Sequence, residues 1–210
     1  MYDEDIREEL FFFLEEEYGK SRIIEEKVIG KARADCVLIT ESAFIGVEIK
    51  SDHDSYQRLA AQVKNYNAFF DYNILVVGTK HALSAKDHVP PFWGIITVEE
   101  VEGRADFYIL RKAERNPHRD YAKKGSLLWK EELVSLLRKY SFPLYRQKSK
   151  KFQFAYLRER IPEEVLNREM SEQLLEREYP EEEGVGKPKK RKRVGRKPNL
   201  LVSHVLRRKK

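Results

Sequence analysis

The sequence predicts an α/β protein built on a mixed central sheet. Three observations point there. An apolar stripe at helical spacing opens the chain, two strand-like apolar runs joined by a tight turn follow, and an amphipathic helical segment then leads into a further buried strand.

The first helix is expected over residues 3–18, where Ile6, Leu10, Phe13 and Leu14, with Phe11 beside them, form the stripe; Asp3 can cap it and Gly19 ends it. Residues 22–29 read as a strand whose charged middle, Glu25 to Lys27, marks a sheet edge. Residues 34–40 and 43–50 are strands joined by a turn near Glu41 and Ser42, and their apolar residues run without alternation, so both faces are covered. With a two-residue turn Thr40 faces Ala43, and Asp35 falls opposite Glu48 with Cβ atoms about 5 Å apart. A four-residue turn would set Asp35 opposite Lys50, and an odd-length turn would separate them.

Residues 55–70 form a second helix with Tyr56, Leu59, Ala60, Val63, Asn67 and Phe70 on its buried side; Arg58, Gln62 and Tyr66 make one ridge. Residues 73–79 are a buried strand, parallel to its neighbour after a right-handed crossover. A short helix near 81–87 stops before Pro90-Pro91, and strands follow from Trp93 to Val98 and from Phe107 to Leu110. Past Asn116-Pro117 the pattern turns helical, over 126–140, 150–160 and 163–178, the last opened by Pro162. The chain thus divides into a core (1–115), a helical extension (116–180) and a basic tail (181–210) dominated by Pro, Gly and Lys, where no core can form and disorder is expected.

A hydrophobic fraction of 41% is enough for a true core. The acidic start, Met-Tyr-Asp-Glu-Asp, is unlike a signal peptide, and no apolar run approaches the roughly 18 residues of a membrane helix. Cys36 is the single cysteine, which fits a reducing compartment. A cytoplasmic, nucleoid-associated protein is expected, or a nuclear one in a eukaryotic host, since Pro188 to Val194 looks like a nuclear localisation signal. The net charge of +6 hides a division: residues 184–210 carry twelve Lys or Arg and no acid, so residues 1–183 carry −6. A detached basic tail on an acidic body points to an anionic partner, and DNA is the expected one; a protein partner stays unidentified. No Gly-rich phosphate loop is present, so no nucleotide cofactor is expected, and the five histidines have no ligand spacing.

Arg33-Ala-Asp35, followed thirteen residues later by Glu48-Ile49-Lys50, resembles the PD-(D/E)XK nuclease superfamily over roughly residues 3–98. Gln62-Val-Lys-Asn-Tyr66 looks like the Gln-x-x-x-Tyr element of its RecB-like branch, and the whole is similar to small bacterial and phage DNA-repair-type nucleases. The resemblance implies a restriction-endonuclease-like α/β/α sandwich with core order α-β-β-β-α-β. It implies a Mg²⁺- or Mn²⁺-dependent deoxyribonuclease in DNA repair, recombination or phage and defence DNA processing. The alternative is an inactive nuclease-fold protein that binds DNA or serves as an adaptor.

Glu48 and Lys50, two apart on one strand, leave by the same face. Neighbouring carboxylates repel unless a cation bridges them or one protonates, and an oxygen-only donor set favours Mg²⁺ or Mn²⁺ over zinc. Asp35 and Glu48 are therefore the candidate metal ligands, with the Ile49 carbonyl a third by resemblance, and Lys50 would orient the attacking water or offset charge on the phosphate. By resemblance Gln62 joins the catalytic group and Tyr66 approaches the strand; Arg58 on the same ridge and Ser51 are candidate phosphate contacts, although a turn role suits Ser51 equally. Asp52 reads as a cap or turn residue. Of the first-helix acids Asp5, Glu8 and Glu9, Glu9 lies beside the apolar stripe and is the candidate auxiliary acid.

Overall fold

The computed structural model describes residues 3–178. Its elements run α1 (Asp3–Tyr18), β1 (Arg22–Ile29), β2 (Ala32–Ile39), β3 (Phe44–Lys50), a 3₁₀ turn (Tyr56–Arg58), α2 (Leu59–Phe69), β4 (Tyr72–Gly78), α3 (Thr79–Ala82) and α4 (Ala85–His88). They continue with β5 (Gly94–Val101), β6 (Arg104–Arg111), α5 (Tyr121–Gly125), α6 (Lys130–Lys139), α7 (Lys150–Arg160) and α8 (Glu163–Leu175). Among the described residues no helix is long and apolar enough to cross a membrane.

The six strands pair in sequence order as one mixed sheet. β1, β2 and β3 form an antiparallel meander, β3, β4 and β5 run parallel, and β6 returns antiparallel to β5. The tight turn has the expected length: Thr40 N–H donates to the Ala43 carbonyl (2.9 Å) and Ile39 pairs with Phe44. β1 is a sheet edge, as its charged middle requires, and Glu26 there takes a left-handed backbone (φ 54°).

β4 shows how both faces are used. Ile74 and Val76 enter one core with Ile6, Leu10, Phe11 and Leu14 of α1, while Leu75 and Val77 enter the other with α2 and α5–α8. Strand alternation then makes three layers: α1, sheet, and the remaining long helices. All seven residues of β3 are buried, so its two charges lie inside the fold.

Five expectations change. On α2, Ala60 is exposed, whereas Tyr66 and Phe69 join Leu59 in the core, where Tyr66 packs on Phe70 and Trp93. The helix expected over 126–140 starts later, at Lys130, since Trp129 is extended (φ −77°, ψ 163°) and its N–H is satisfied by Glu132 Oε2 at 2.6 Å, which starts α6; a short separate helix, α5, precedes it. The helix expected over 163–178 ends at Leu175, and the single short helix near 81–87 is two four-residue helices. The boundary at 115 is not a break in packing: Tyr121, Leu128, Leu133, Leu157 and Met170 share one core with Phe44, Val37 and Phe70. The tail from 181 onward lies outside the described residues.

Candidate active site

β3 carries a carboxylate to the carboxyl end of a fully covered strand, where a charge is tolerated only if donors surround it. Glu48 is 0% exposed and three side chains supply those donors. Lys50 Nζ reaches Glu48 Oε1 at 2.6 Å, the Gln62 amide nitrogen donates to the same oxygen, and the Tyr66 hydroxyl donates to Oε2 at 2.7 Å. Lys50 is on the same strand face by the two-residue period, and Gln62 and Tyr66 reach over because they are one turn apart on α2.

Asp35 completes the cluster. Cys36 and Val47 are the last pair of the β2–β3 ladder, which sets Asp35 opposite Glu48 at its frayed end. There the strand leaves regular alternation: Ala34 lies in the core under α2, whereas Cys36 lies in the core under α1. The Asp35 carboxylate takes the place of a ladder carbonyl, accepting the Ile49 N–H at 2.7 Å, and its backbone N–H donates to the Tyr66 hydroxyl at 3.3 Å. Tyr66 is thus the bridge between the two acids. Burial first, then the Glu48 and Asp35 charges, push its hydroxyl well above the usual range, which keeps it a donor.

The other candidates sort by exposure. Tyr66 is fully buried, so it positions Glu48 and does not face a strand of substrate. Ser51 is buried too, and its hydroxyl donates to Asp54 Oδ2 at 2.7 Å, which is the turn role. Arg58 is exposed one turn before Gln62 and remains available to a phosphate. Asp52 Oδ1 accepts the Lys80 N–H at 3.0 Å and so caps the first turn of α3. Glu9 does not face the cluster: its Oε2 accepts the Ala105 N–H of β6 at 2.7 Å, at the other end of the sheet order. The α1 residue that reaches the site is a cation, Arg7, whose guanidinium lies 2.8 Å from Glu26 and 3.9 Å from Asp35. Sequence reasoning overlooked it, although its place beside Ile6 and Leu10 on the buried stripe was a usable signal.

Among the described residues no group of three or more His, Cys, Asp or Glu side chains is placed to share an ion. The donor set here is smaller and oxygen-rich: the Asp35 and Glu48 carboxylates, and the Gln62 Oε1, a buried oxygen with no hydrogen-bond partner. The amide turns its nitrogen to Glu48, which leaves that oxygen unpaired. Two acids and an unpaired amide oxygen fit a hard divalent cation. A cavity of about 350 Å³ lined by Ile6, Asp52, Gly78, Thr79, Val98, Glu99 and Glu100 opens at the carboxyl ends of β4 and β5.

Fold and site define an α/β protein with a six-stranded mixed sheet and a buried carboxylate–ammonium cluster at its parallel-strand ends. Residues 2–192 match the family model described as Bacteriophage P4 protein cII, and the chain belongs to that family. No curated protein and no solved structure matches it.

Proposed function

We propose that the chain is a metal-dependent nuclease of the PD-(D/E)XK type, hydrolysing phosphodiester bonds in DNA within a restriction-endonuclease-like α/β/α core. The observation that carries this reading is the convergence on Glu48 of Lys50, Gln62 and Tyr66, with Asp35 in register opposite. The element order α-β-β-β-α-β supports it, and the family's phage description fits a role in phage DNA processing. Asp35 and Glu48, with the Ile49 carbonyl, would hold Mg²⁺ or Mn²⁺, which when bound acidifies a water and offsets charge on the phosphate. Tyr66 holds the Glu48 carboxylate in one orientation, and the Ile49 N–H does the same for Asp35. Lys50, when it leaves Glu48, supplies a positive donor for the attacking water or the phosphate oxygen. Arg58 contacts a phosphate from α2, and the basic tail adds sequence-independent attraction. The setting is the cytoplasm, at the nucleoid.

A second reading rests on a specific observation. Both acids are already satisfied by protein donors, as in a nuclease fold kept only for binding. One assay separates the two. Labelled single- and double-stranded DNA is incubated with the full chain and Mg²⁺ or Mn²⁺, then with EDTA. The nuclease reading expects cleavage that EDTA stops and that Lys50→Gln lowers about a hundred-fold or more with DNA binding retained. Binding without cutting across metals and substrates selects the adaptor, and parental cutting by Lys50→Gln refutes the role given to Lys50.

A further inference from the structure

From the last turn of α6 through α7 runs the most basic stretch of the described chain: from Arg138 to Arg160 eight Lys or Arg accompany one acid, Glu159. Those cations surround rings. Phe152 is 40% exposed on the first turn of α7, directly after Lys150 and Lys151. Tyr145 meets it at 5.1 Å and Tyr156 at 4.9 Å, centroid to centroid. Lys148 lies over the Phe152 ring (5.5 Å) and the Arg160 guanidinium over the Tyr156 ring (3.5 Å).

The cluster is built, not incidental. Tyr145 takes a left-handed backbone (φ 46°), a costly conformation for an aromatic residue. The fully buried Gln153 pins it, donating its amide to the carbonyls of Leu144 and Tyr145, both at 3.2 Å. Ser149 caps α7 through the Phe152 N–H, fixing the ring's helical turn.

We propose that this face is a stacking platform for single-stranded nucleic acid, separate from the Glu48 cluster. Unpaired bases stack on exposed rings while cations at the ring faces neutralise phosphates; a duplex hides its base faces and cannot use the rings. A membrane surface fits less well, because the exposed apolar groups here are aromatic and ringed by cations, with no aliphatic wedge. The platform does not rest on the hydrolytic reading.

The test uses the full chain in EDTA, with fluorescent dT20, U20 and a DNA duplex as probes. Phe152→Ala is expected to weaken dT20 about ten-fold, with Phe152→Trp near parental and duplex affinity changed less than two-fold. Lys148→Ala with Lys151→Ala should lower the salt slope for dT20 by about 1.4. Photocrosslinks from 5-iododeoxyuridine should map within residues 140–160, and comparing U20 with dT20 tells whether ribose is accepted. A change below two-fold for Phe152→Ala in a chain that melts as the parent does, an equal loss on duplex, or crosslinks confined to other segments overturns the platform. All binding is read in EDTA, which leaves no divalent ion for hydrolysis, so loss of the platform and loss of cleavage are told apart.

Discussion

The Tyr66 hydroxyl joins three things at once: it donates to Glu48, accepts from the Asp35 backbone and stands 3.1 Å from the Val47 carbonyl. Tyr66→Phe keeps the ring and removes that hinge. A hydrogen bond to a charged group is worth about 1.5–3 kcal/mol, so urea unfolding should shift by that amount and cleavage should fall with little change in DNA affinity. Lys124 offers a second residue-scale test. It is fully buried against Asp71 (2.6 Å) and Asn167 (2.7 Å), and burial pulls its ammonium down to about 8 against the opposing pull of Asp71. Between pH 8 and 10.5 the unfolded chain binds the proton that the folded chain has released, so stability rises with pH there, by about 1.4 kcal/mol per pH unit. Above pH 10 the raised hydroxyls of Tyr66 and Tyr121 act oppositely, since the unfolded chain loses those protons first. Lys124→Met should therefore remove the rise from pH 8 to 10 in urea midpoints, while a parallel curve for parent and variant would refute it.

At the scale of elements, β3 and α2 meet without a spacer at Gly46. A Cβ there would lie 2.2 Å from the Phe70 ring and 2.6 Å from the Tyr66 ring. Gly46→Ala should cost about 1–3 kcal/mol by overpacking and, by lifting Tyr66, reduce cleavage more than Phe69→Leu does. This is also where sequence reading worked best. Of the registers left open by the residues between the two strands, the structure shows the two-residue turn, which sets Asp35 opposite Glu48. Sequence reading worked least well where a distant partner decides. The break at Trp129 depends on Glu132 paired with Arg177, whose guanidinium also lies 4.2 Å over the Trp129 ring, and leucine spacing alone carries no sign of it. Glu9 and Arg7 are similar: spacing marks the stripe's flanks but not which flank reaches β6 and which reaches Asp35.

On the whole-molecule scale, the three layers make the site depend on helices far along the chain. Arg22 of β1 donates to the carbonyls of Leu174 and Leu175, closing the end of α8 against the sheet edge. Asp71, at the start of β4, holds Phe44 N–H, Lys124 and Arg119 together. A chain ending at residue 115 should then lack a cooperative thermal transition, whereas a chain ending at 178 should melt within a few degrees of the parent; cooperative melting of the shorter chain would show the sheet to be independent of α5–α8. The composition shift past Asn116-Pro117 correctly marked where strands give way to helices, but a change of secondary structure is not a change of core.

The central claim is that Asp35 and Glu48 share one divalent ion beside Lys50, and Mn²⁺ binding followed by electron paramagnetic resonance tests it most directly. With a short DNA strand present, the parent chain should bind one Mn²⁺ that Asp35→Asn and Glu48→Gln each weaken at least ten-fold, while Lys50→Gln retains it. Equal Mn²⁺ binding by the parent and both acid variants, or none by the parent, would contradict the account.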